Sequence, residues 1–325
     1  MAELTLVQGI NDGLRTALEI DPTVVVLGED VGKNGGVFRA TEGLWEQFGD
    51  ERVIDTPLAE AGIIGAAIGM AVNGLNPVAE IQFMGFIYPA FEQIVTHVAR
   101  LRTRTQGEYP ASLVIRVPYG GGIRAPELHS DSTEALFVHT PGLKVVAPST
   151  PYDAKGLLLA AIQDPDPVIY LEPMKIYRSI RQEVPRDWFQ VPIGKARIVQ
   201  EGDDVTVLTW GAMVPVAEKA VATWADKGIT CDLIDLRSLY PFDEETIIQS
   251  VKKTGRAVIV HEAPRTGGLG AEIVALINEQ AFLWLEAPVE RVTGYDVPVP
   301  MFALEDHFRP GLERIGKALD RVMTF

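Results

Sequence analysis

The sequence holds a single cysteine, Cys231, in 325 residues. One thiol cannot close an internal disulfide or complete a zinc or iron–sulfur site, so the expected compartment is the cytoplasm. Positive charge is also scarce. Twenty-nine Lys and Arg stand against 44 Asp and Glu, a net charge of −15. A surface of that sign repels phosphate backbones and anionic lipid, which excludes a general nucleic-acid or membrane-surface binder. It leaves room for a basic protein partner. Long apolar runs are nearly absent. Ala61–Ala79 carries no charge, but Asn73, Asn76 and Pro77 interrupt it, and Gly62, Gly65, Gly69 and Gly74 dilute it. It reads as a buried, glycine-faced helix followed by a buried strand, not a membrane span. The amino terminus, Met-Ala-Glu-Leu-Thr, has no basic segment ahead of an apolar one and is not expected to be a signal peptide.

Common catalytic signatures are missing as well. There is no G-x-x-x-x-G-K-[ST] phosphate loop and no G-x-S-x-G nucleophile turn. His261-Glu262 lacks the second histidine of a zinc protease, and no histidine has a neighbour at ligand spacing. Gly267-Gly268-Leu269-Gly270 does not keep the spacing of a dinucleotide turn, and reads as tight packing of a loop against a helix. Nucleotide hydrolysis, elbow-type serine hydrolysis and zinc proteolysis all recede.

What remains is an ordinary globular composition, 47% apolar and 22% charged, in a chain long enough for two domains. Short β-branched runs alternate with helical stretches. Thr23–Leu27, Pro77–Phe83, Leu113–Val117, Leu143–Ala147 and Val168–Leu171 read as strands, and Ala61–Val72, Tyr88–Arg102 and Tyr152–Ile162 as helices. This alternation predicts an α/β fold with a doubly wound parallel sheet. From Pro173 to about Gly202 the chain turns polar and proline-bearing, which predicts a connector. The alternation restarts with strands Val205–Trp210, Cys231–Leu236 and Ala257–His261. Helices Val214–Lys227, Glu244–Lys253, Leu269–Glu279 and Arg309–Met323 accompany them. The expected division is residues 1–185, a connector over 186–202, and a smaller α/β domain over 203–325.

Several stretches are distinctive together. They are Gly28-Glu29-Asp30-Val31-Gly32 with Gly35-Gly36-Val37-Phe38, Asp55-Thr56-Pro57-Leu58-Ala59-Glu60-Ala61-Gly62-Ile63, and Glu80-Ile81-Gln82-Phe83-Met84-Gly85-Phe86. Further on come Gly120-Gly121-Gly122 with Leu128-His129-Ser130, and Pro148-Ser149-Thr150-Pro151-Tyr152-Asp153-Ala154. Their order and spacing closely resemble the beta subunit of the thiamine-diphosphate-dependent decarboxylating component of 2-oxo acid dehydrogenase complexes. The resemblance covers essentially the whole chain and is greatest to bacterial, pyruvate-specific members. It implies a pyrimidine-type thiamine-diphosphate domain followed by a transketolase C-terminal-like domain.

The resemblance also assigns roles that the residues alone leave open. Thr56-Pro57 reads as a helix start, with Thr as cap and Pro at the first position, so Glu60 falls in the first turn. By itself an acid there serves the helix dipole. In the family the matching glutamate hydrogen-bonds a ring nitrogen of the cofactor's aminopyrimidine and acts as an acid, a task suited to a buried carboxyl of raised pKa. Phe86 alone would be core. The resemblance puts it against the aminopyrimidine ring, with Gln82 close to the cofactor. A loop histidine such as His129 is usually only exposed. In the family it stands beside the reacting centre and handles protons during acyl transfer to a lipoyl group. Many relatives have Gln where this chain has Asp131, which leaves the loop's supporting partner open. Some members seat an alkali cation, and the matching positions are Leu113, Ala161, Ile162, Asp164 and Asp166. The turn Gln163-Asp164-Pro165-Asp166-Pro167 explains those residues equally well as a helix-to-strand connection.

Thiamine enzymes usually hold the diphosphate through magnesium at a Gly-Asp-Gly…Asn motif, and this chain has no Gly-Asp-Gly. The resemblance therefore implies an alpha subunit that brings the magnesium ligands, with the cofactor at the interface of an α2β2 heterotetramer. It also implies docking to the peripheral subunit-binding domain and lipoyl domain of a dihydrolipoyl acetyltransferase. The basic face of that docking domain suits the charge of −15. The second domain offers no residue required for catalysis. A branched-chain 2-oxo acid is the alternative substrate. A self-contained transketolase-like enzyme and a non-enzymatic α/β scaffold are the remaining alternatives.

Overall fold

Strands buried on both faces need unbroken apolar runs, and Val24–Leu27 and Val168–Leu171 supply them. The computed structural model, which describes residues 1–325, contains fourteen strands. The first eight are β1 (Ala2–Thr5), β2 (Val24–Gly28), β3 (Val53–Asp55), β4 (Asn76–Glu80), β5 (Val114–Tyr119), β6 (Lys144–Val146), β7 (Val168–Pro173) and β8 (Arg181–Val184). The others are β9 (Arg197–Gln200), β10 (Val205–Thr209), β11 (Cys231–Asp235), β12 (Ser238–Tyr240), β13 (Ala257–Pro264) and β14 (Glu290–Gly294). A seven-stranded sheet has the order β12-β6-β7-β5-β4-β2-β3, and a five-stranded sheet the order β14-β13-β10-β11-β9. Within these two sheets all pairings are parallel except those of the edge strands β12 and β9, and β1 pairs antiparallel with β8 in a separate two-stranded sheet.

Successive side chains leave a strand on opposite faces. Val114, Val168 and Tyr170 enter one core together with helices Leu6–Ile20 and Pro151–Gln163. Ile115, Val117, Ile169 and Leu171 enter the other, with the helix Glu60–Val72. Both cores continue through the smaller sheet, where Val258 and Val260 face one and Ile259 the other. No helix is long and apolar enough to cross a membrane.

Four expectations are corrected. Thr56 and Pro57 do not open the helix. The Thr56 N–H donates to the Gly28 carbonyl at 2.9 Å, prolonging β3 beside β2, and the helix begins at Glu60 with Ala59 as its cap. That helix is not buried all round. Ile63, Ile64, Ala67 and Ala71 face the sheet, whereas Ala61, Gly62, Ala66 and Gly69 are exposed in this single chain. Tyr88–Arg102 is not one helix. A 3-10 turn at Met84–Ile87 leads into Tyr88–Glu92, a π-helical turn at Gln93–Val98 and a short helix at Leu101–Arg104. The break has a cause: Ala99 N–H reaches Ile94, five residues back, while the freed carbonyls of Val95 and Thr96 accept from the side chains of Arg100 and Arg104. Finally, the polar connector after Pro173, read as lacking clear periodicity, carries two short strands. β8 pairs with β1, and β9 closes the edge of the second sheet.

Beneath the carboxyl ends of the central strands lies a buried ion triad. Arg116 on β5 points Nη1 at Glu80 on β4, 2.9 Å away, and Nε at Glu172 on β7, 2.7 Å away. The Tyr177 hydroxyl donates to the second oxygen of Glu172 at 2.5 Å. Burial pushes the Glu80 carboxyl up, against the pull of Arg116. With two carboxylates on one guanidinium, the cation is what makes burying the anions tolerable.

The two sheets are joined by polar contacts as well as apolar ones. β12 comes from the second half of the chain but pairs with β6 of the first sheet. Arg237 reaches Asp153 at 2.9 Å, and Arg197 reaches Asp235 at 3.2 Å, where Ser149 also donates. The Pro148–Ala154 motif is thus a seam element. Glu134 is buried, and both of its carboxyl oxygens lack a hydrogen-bond partner. Burial first, and the neighbouring Glu262 charge second, push its pKa up to about 7.

Two outcomes follow from these buried charges. Arg116→Met leaves Glu80 and Glu172 uncompensated and is expected to cost about 3–5 kcal/mol in denaturant unfolding at neutral pH. The loss should shrink in acid, where the carboxyls protonate. The second concerns Glu134, whose folded form keeps its proton while the unfolded chain releases it near the ordinary value of 4.5. Stability therefore falls as pH rises from about 4.5 to about 7 and levels off above. Glu134→Gln should remove a decline of roughly 3 kcal/mol across that window, read from unfolding midpoints at several pH values.

Candidate active site

In open parallel sheets, ligands bind beyond the carboxyl ends of the strands, and the distinctive motifs gather there. β2 ends at Gly28, and the loop Glu29–Phe38 is held by its own turns. Gly36 N–H donates to Asp30 O at 2.8 Å. Asp55, at the end of β3, accepts from the N–H groups of Gly32 and Lys33 at 2.6 and 3.2 Å. A Cβ on Gly32 would stand 2.7 Å from that carboxylate, so only glycine fits.

Glu60 opens the next helix from the loop after β3, and is half-buried in this single chain rather than enclosed. Glu29 lies close enough that the Glu60 charge contributes to a raised Glu29 pKa, after burial and Asp30. Gln82, just past β4, donates to the Glu29 carbonyl at 3.4 Å. The Thr56 hydroxyl, four residues before Glu60, is buried and has no hydrogen-bond partner. Acids, an amide and an unpaired hydroxyl at one crevice fit a polar heterocycle with both donors and acceptors.

The aromatic side of the crevice is continuous. The His129 ring packs on Phe83, with centroids 4.4 Å apart, and on Phe86 at 4.9 Å. Phe83 in turn meets Phe38 at 5.4 Å, and Phe38 meets Tyr177 at 5.1 Å, which links the rings to the ion triad through Glu172. Gly85 makes this approach possible. Its N–H donates to Leu128 O at 3.1 Å, and a Cβ there would stand 2.1 Å from that oxygen. Nδ1 of His129 lies 2.8 Å from the Glu127 carbonyl, which directs Nε2 outward from the loop as the free nitrogen.

The loop that carries His129 is strained. Arg124 and Leu128 both have positive φ, 54° and 67°, a conformation that costs a side-chain-bearing residue about 1–3 kcal/mol. It is held from the second domain. Glu305 accepts from the N–H of Gly122, from the N–H of Arg124 at 3.1 Å and from the Ser130 hydroxyl at 3.3 Å. Glu262 accepts from the Gly121 N–H. These two carboxylates were not expected to matter. Glu262 was visible only beside His261, and nothing local marks Glu305. Asp131 supports the loop differently: its backbone carbonyl accepts from Gly120, and its carboxylate accepts from the Tyr88 hydroxyl at 3.2 Å.

The remaining candidates form a separate group. Lys144 donates to both oxygens of Asp164, at 2.6 and 2.7 Å, and Arg102 pairs with Asp166 at 3.0 Å. The carbonyls of Leu113 and Ala161 each accept one backbone hydrogen bond, from Val168 and Asp164. These residues fit a cation only through backbone carbonyls, because their carboxylates are already neutralised. Gly267–Gly270 packs as expected of a structural loop: a Cβ on Gly270 would stand 2.7 Å from Nε2 of His261. A groove of about 490 Å³ opens elsewhere, between Ala135–Pro141 and Gly267–Glu272, and contains none of the residues around His129.

Comparisons with known proteins show which family the chain belongs to. Residues 2–179 match the family "Transketolase, pyrimidine binding domain" and residues 194–315 match "Transketolase, C-terminal domain". The chain is 53% identical to the pyruvate dehydrogenase E1 component subunit beta of Acholeplasma laidlawii over 97% of this chain and 96% of that one. It is 50% identical to the protein of the same name from Bacillus subtilis, over the full length of both. Among solved structures, a split-gene transketolase, described as an inactive beta4 tetramer, shares the fold with a TM-score of 0.82 at 22% identity over 99% of both chains. A transketolase from Pichia stipitis aligns with a TM-score of 0.71 at 14% identity, and the chain spans 46% of it. The chain belongs to the transketolase family built of a pyrimidine-binding and a C-terminal domain, and within it to the pyruvate dehydrogenase E1 beta subunits.

Proposed function

We propose that this chain is the beta half of a pyruvate dehydrogenase (acetyl-transferring), an oxidoreductase of the cytoplasm. With an alpha subunit in an α2β2 heterotetramer, it oxidatively decarboxylates pyruvate and acetylates the lipoyl group of a dihydrolipoyl acetyltransferase. One observation carries the reading: the His129–Phe83–Phe86 ring cluster and the Glu29–Glu60–Gln82 group both lie beyond the carboxyl ends of the neighbouring strands β2, β3 and β4, in a chain with no diphosphate-binding motif. The names of the relatives agree with it.

Thiamine diphosphate, when bound, supplies a carbon nucleophile for the 2-oxo group. Glu60 would hold a proton at a ring nitrogen of the aminopyrimidine, and Phe86 would set the tilt of that ring by edge or face contact. Gln82 would fill a hydrogen-bonding position beside it. His129, with Nδ1 fixed on a backbone carbonyl, offers Nε2 to give or take a proton beside the substrate. Magnesium falls to the alpha subunit, since hard oxygen ligands for a diphosphate are missing here. A potassium ion would sit on the carbonyls of Leu113, Ala161 and Ile162, near Asp164 and Asp166. The division into residues 1–185, 186–202 and 203–325 assigns this chemistry to the first part, and docking of the acetyltransferase's basic subunit-binding domain to the acidic second part.

Reconstitution tests the reading. Co-expressed with its alpha subunit, the chain should decarboxylate pyruvate faster than 2-oxoisovalerate, only with thiamine diphosphate and magnesium. Glu60→Ala should lower turnover roughly 10²- to 10⁴-fold. Unchanged turnover would displace Glu60, and preference for 2-oxoisovalerate would assign a branched-chain substrate. Docking of the isolated subunit-binding domain should weaken at least roughly tenfold from about 0.05 to about 0.5 M salt. Salt-insensitive binding would remove the electrostatic account.

A further inference from the structure

We infer that Glu305, assisted by Glu262, is a positioning residue: a latch by which the second domain fixes the His129 loop for acyl transfer. The inference rests on the proposed role of His129 and adds a reason for the second domain to be present at all.

Three observations support the latch. The first is its reach. One buried carboxylate, Glu305, accepts from three groups of a single loop: Gly122 N–H, Arg124 N–H and the hydroxyl of Ser130. Ser130 is the residue next to His129, so the last contact is one peptide from the imidazole. The second is the fit. A Cβ on Gly121 would stand 2.8 Å from Glu305 Oε1, and a Cβ on Gly120 would stand 2.9 Å from Glu262 Oε2. The triple glycine is therefore shaped to the two carboxylates, and its N–H groups form a small anion-binding nest for them. The third is the strain. Arg124 and Leu128 hold positive φ on the same loop, and such backbone persists only where the surroundings over-determine it. Gly85 N–H pins Leu128 O from the first domain, and the two carboxylates pin the other end from the second. His129 is suspended between these two anchors.

The anchoring charge is itself steadied. Arg309 lies 3.5 Å from Glu305, and Arg124 reaches Asp306 at 2.6 Å, so the short helix Glu305–Phe308 grips the loop from both sides. Neither carboxylate touches His129 or the crevice. Each acts through the loop.

The test uses the reconstituted heterotetramer with a free lipoyl domain as acceptor. Glu305→Ala should slow reductive acylation of the lipoyl domain roughly ten- to a hundredfold, the scale of a displacement of about 1 Å at a catalytic group. Thiamine diphosphate affinity should stay within about twofold. Glu305→Gln, which keeps one acceptor oxygen and the side-chain shape, should recover part of the loss. Placed in a His129→Ala background, Glu305→Ala should have no further effect, because its route to the chemistry is gone. Amide hydrogen exchange at residues 120–131 should quicken in Glu305→Ala while the strands of the second sheet keep their protection, a check that holds if Glu305→Ala is otherwise poorly active. Additive losses in the double variant would overturn the latch. So would normal acyl transfer with unchanged exchange in the loop. If His129→Ala alone leaves acyl transfer intact, the role of His129 fails and the latch falls with it, an outcome distinct from additivity.

Discussion

Arg116 is the residue on which the carboxyl ends of the larger sheet's central strands depend. Its guanidinium joins three adjacent strands through Glu80 and Glu172, in a place closed to solvent. Strands that carry opposed buried acids at their carboxyl ends would separate or take up protons without it. Because the cation is there, Glu172 can accept from Tyr177, and Tyr177 can brace Phe38, Phe83 and finally His129. A chain of contacts thus runs from a salt bridge in the sheet to the rings at its rim. Each link is a direct side-chain contact, the kind of support a site requires if its geometry is to survive without ligand.

The second constraint comes from the seam. The smaller domain lends β12 to the edge of the larger sheet and sends two carboxylates into the glycine loop. The larger domain answers with Asp153 and Ser149, which receive Arg237 and Asp235. The exchange is polar and largely buried, and Arg237, Arg197 and Asp235 each have a fitted partner across it. The domains consequently behave as one support for the crevice. On the other side, the uncharged face of Ala61, Gly62, Ala66 and Gly69 lies open beside Glu60 in this single chain, as suits close approach by a second subunit.

Much of this was legible in the sequence, for identifiable reasons. The parallel sheet followed from apolar runs with helical stretches between them. The family followed from motifs whose glycines sit where backbone must approach side chains, as at Gly32 and Gly85. His129 and Phe86 were named from separate motifs, and the structure brings their rings together. Other features depend on contacts that no local pattern contains. Glu262 and Glu305 lie 141 and 183 residues from the glycines they hold. The π-helical turn in 93–98 arises because arginine side chains outcompete backbone donors for two carbonyls. Arg116 is a charge inside an apolar strand that the sequence reading passed over, and its two partners lie on other strands. The outer face of the Glu60–Val72 helix was legible as apolar and glycine-lined, suited to close packing by a subunit, but an apolar helix reads the same whether its own chain or another covers it, so its exposure here was not.

The central claim is that this chain holds one half of a thiamine diphosphate site and that a second chain supplies the other. Titration calorimetry of thiamine diphosphate with magnesium into this chain alone, into the alpha subunit alone and into the assembled pair tests it most directly. The account predicts tight, stoichiometric binding to the pair and none of comparable strength to either chain alone. Equally tight binding to this chain by itself would contradict it.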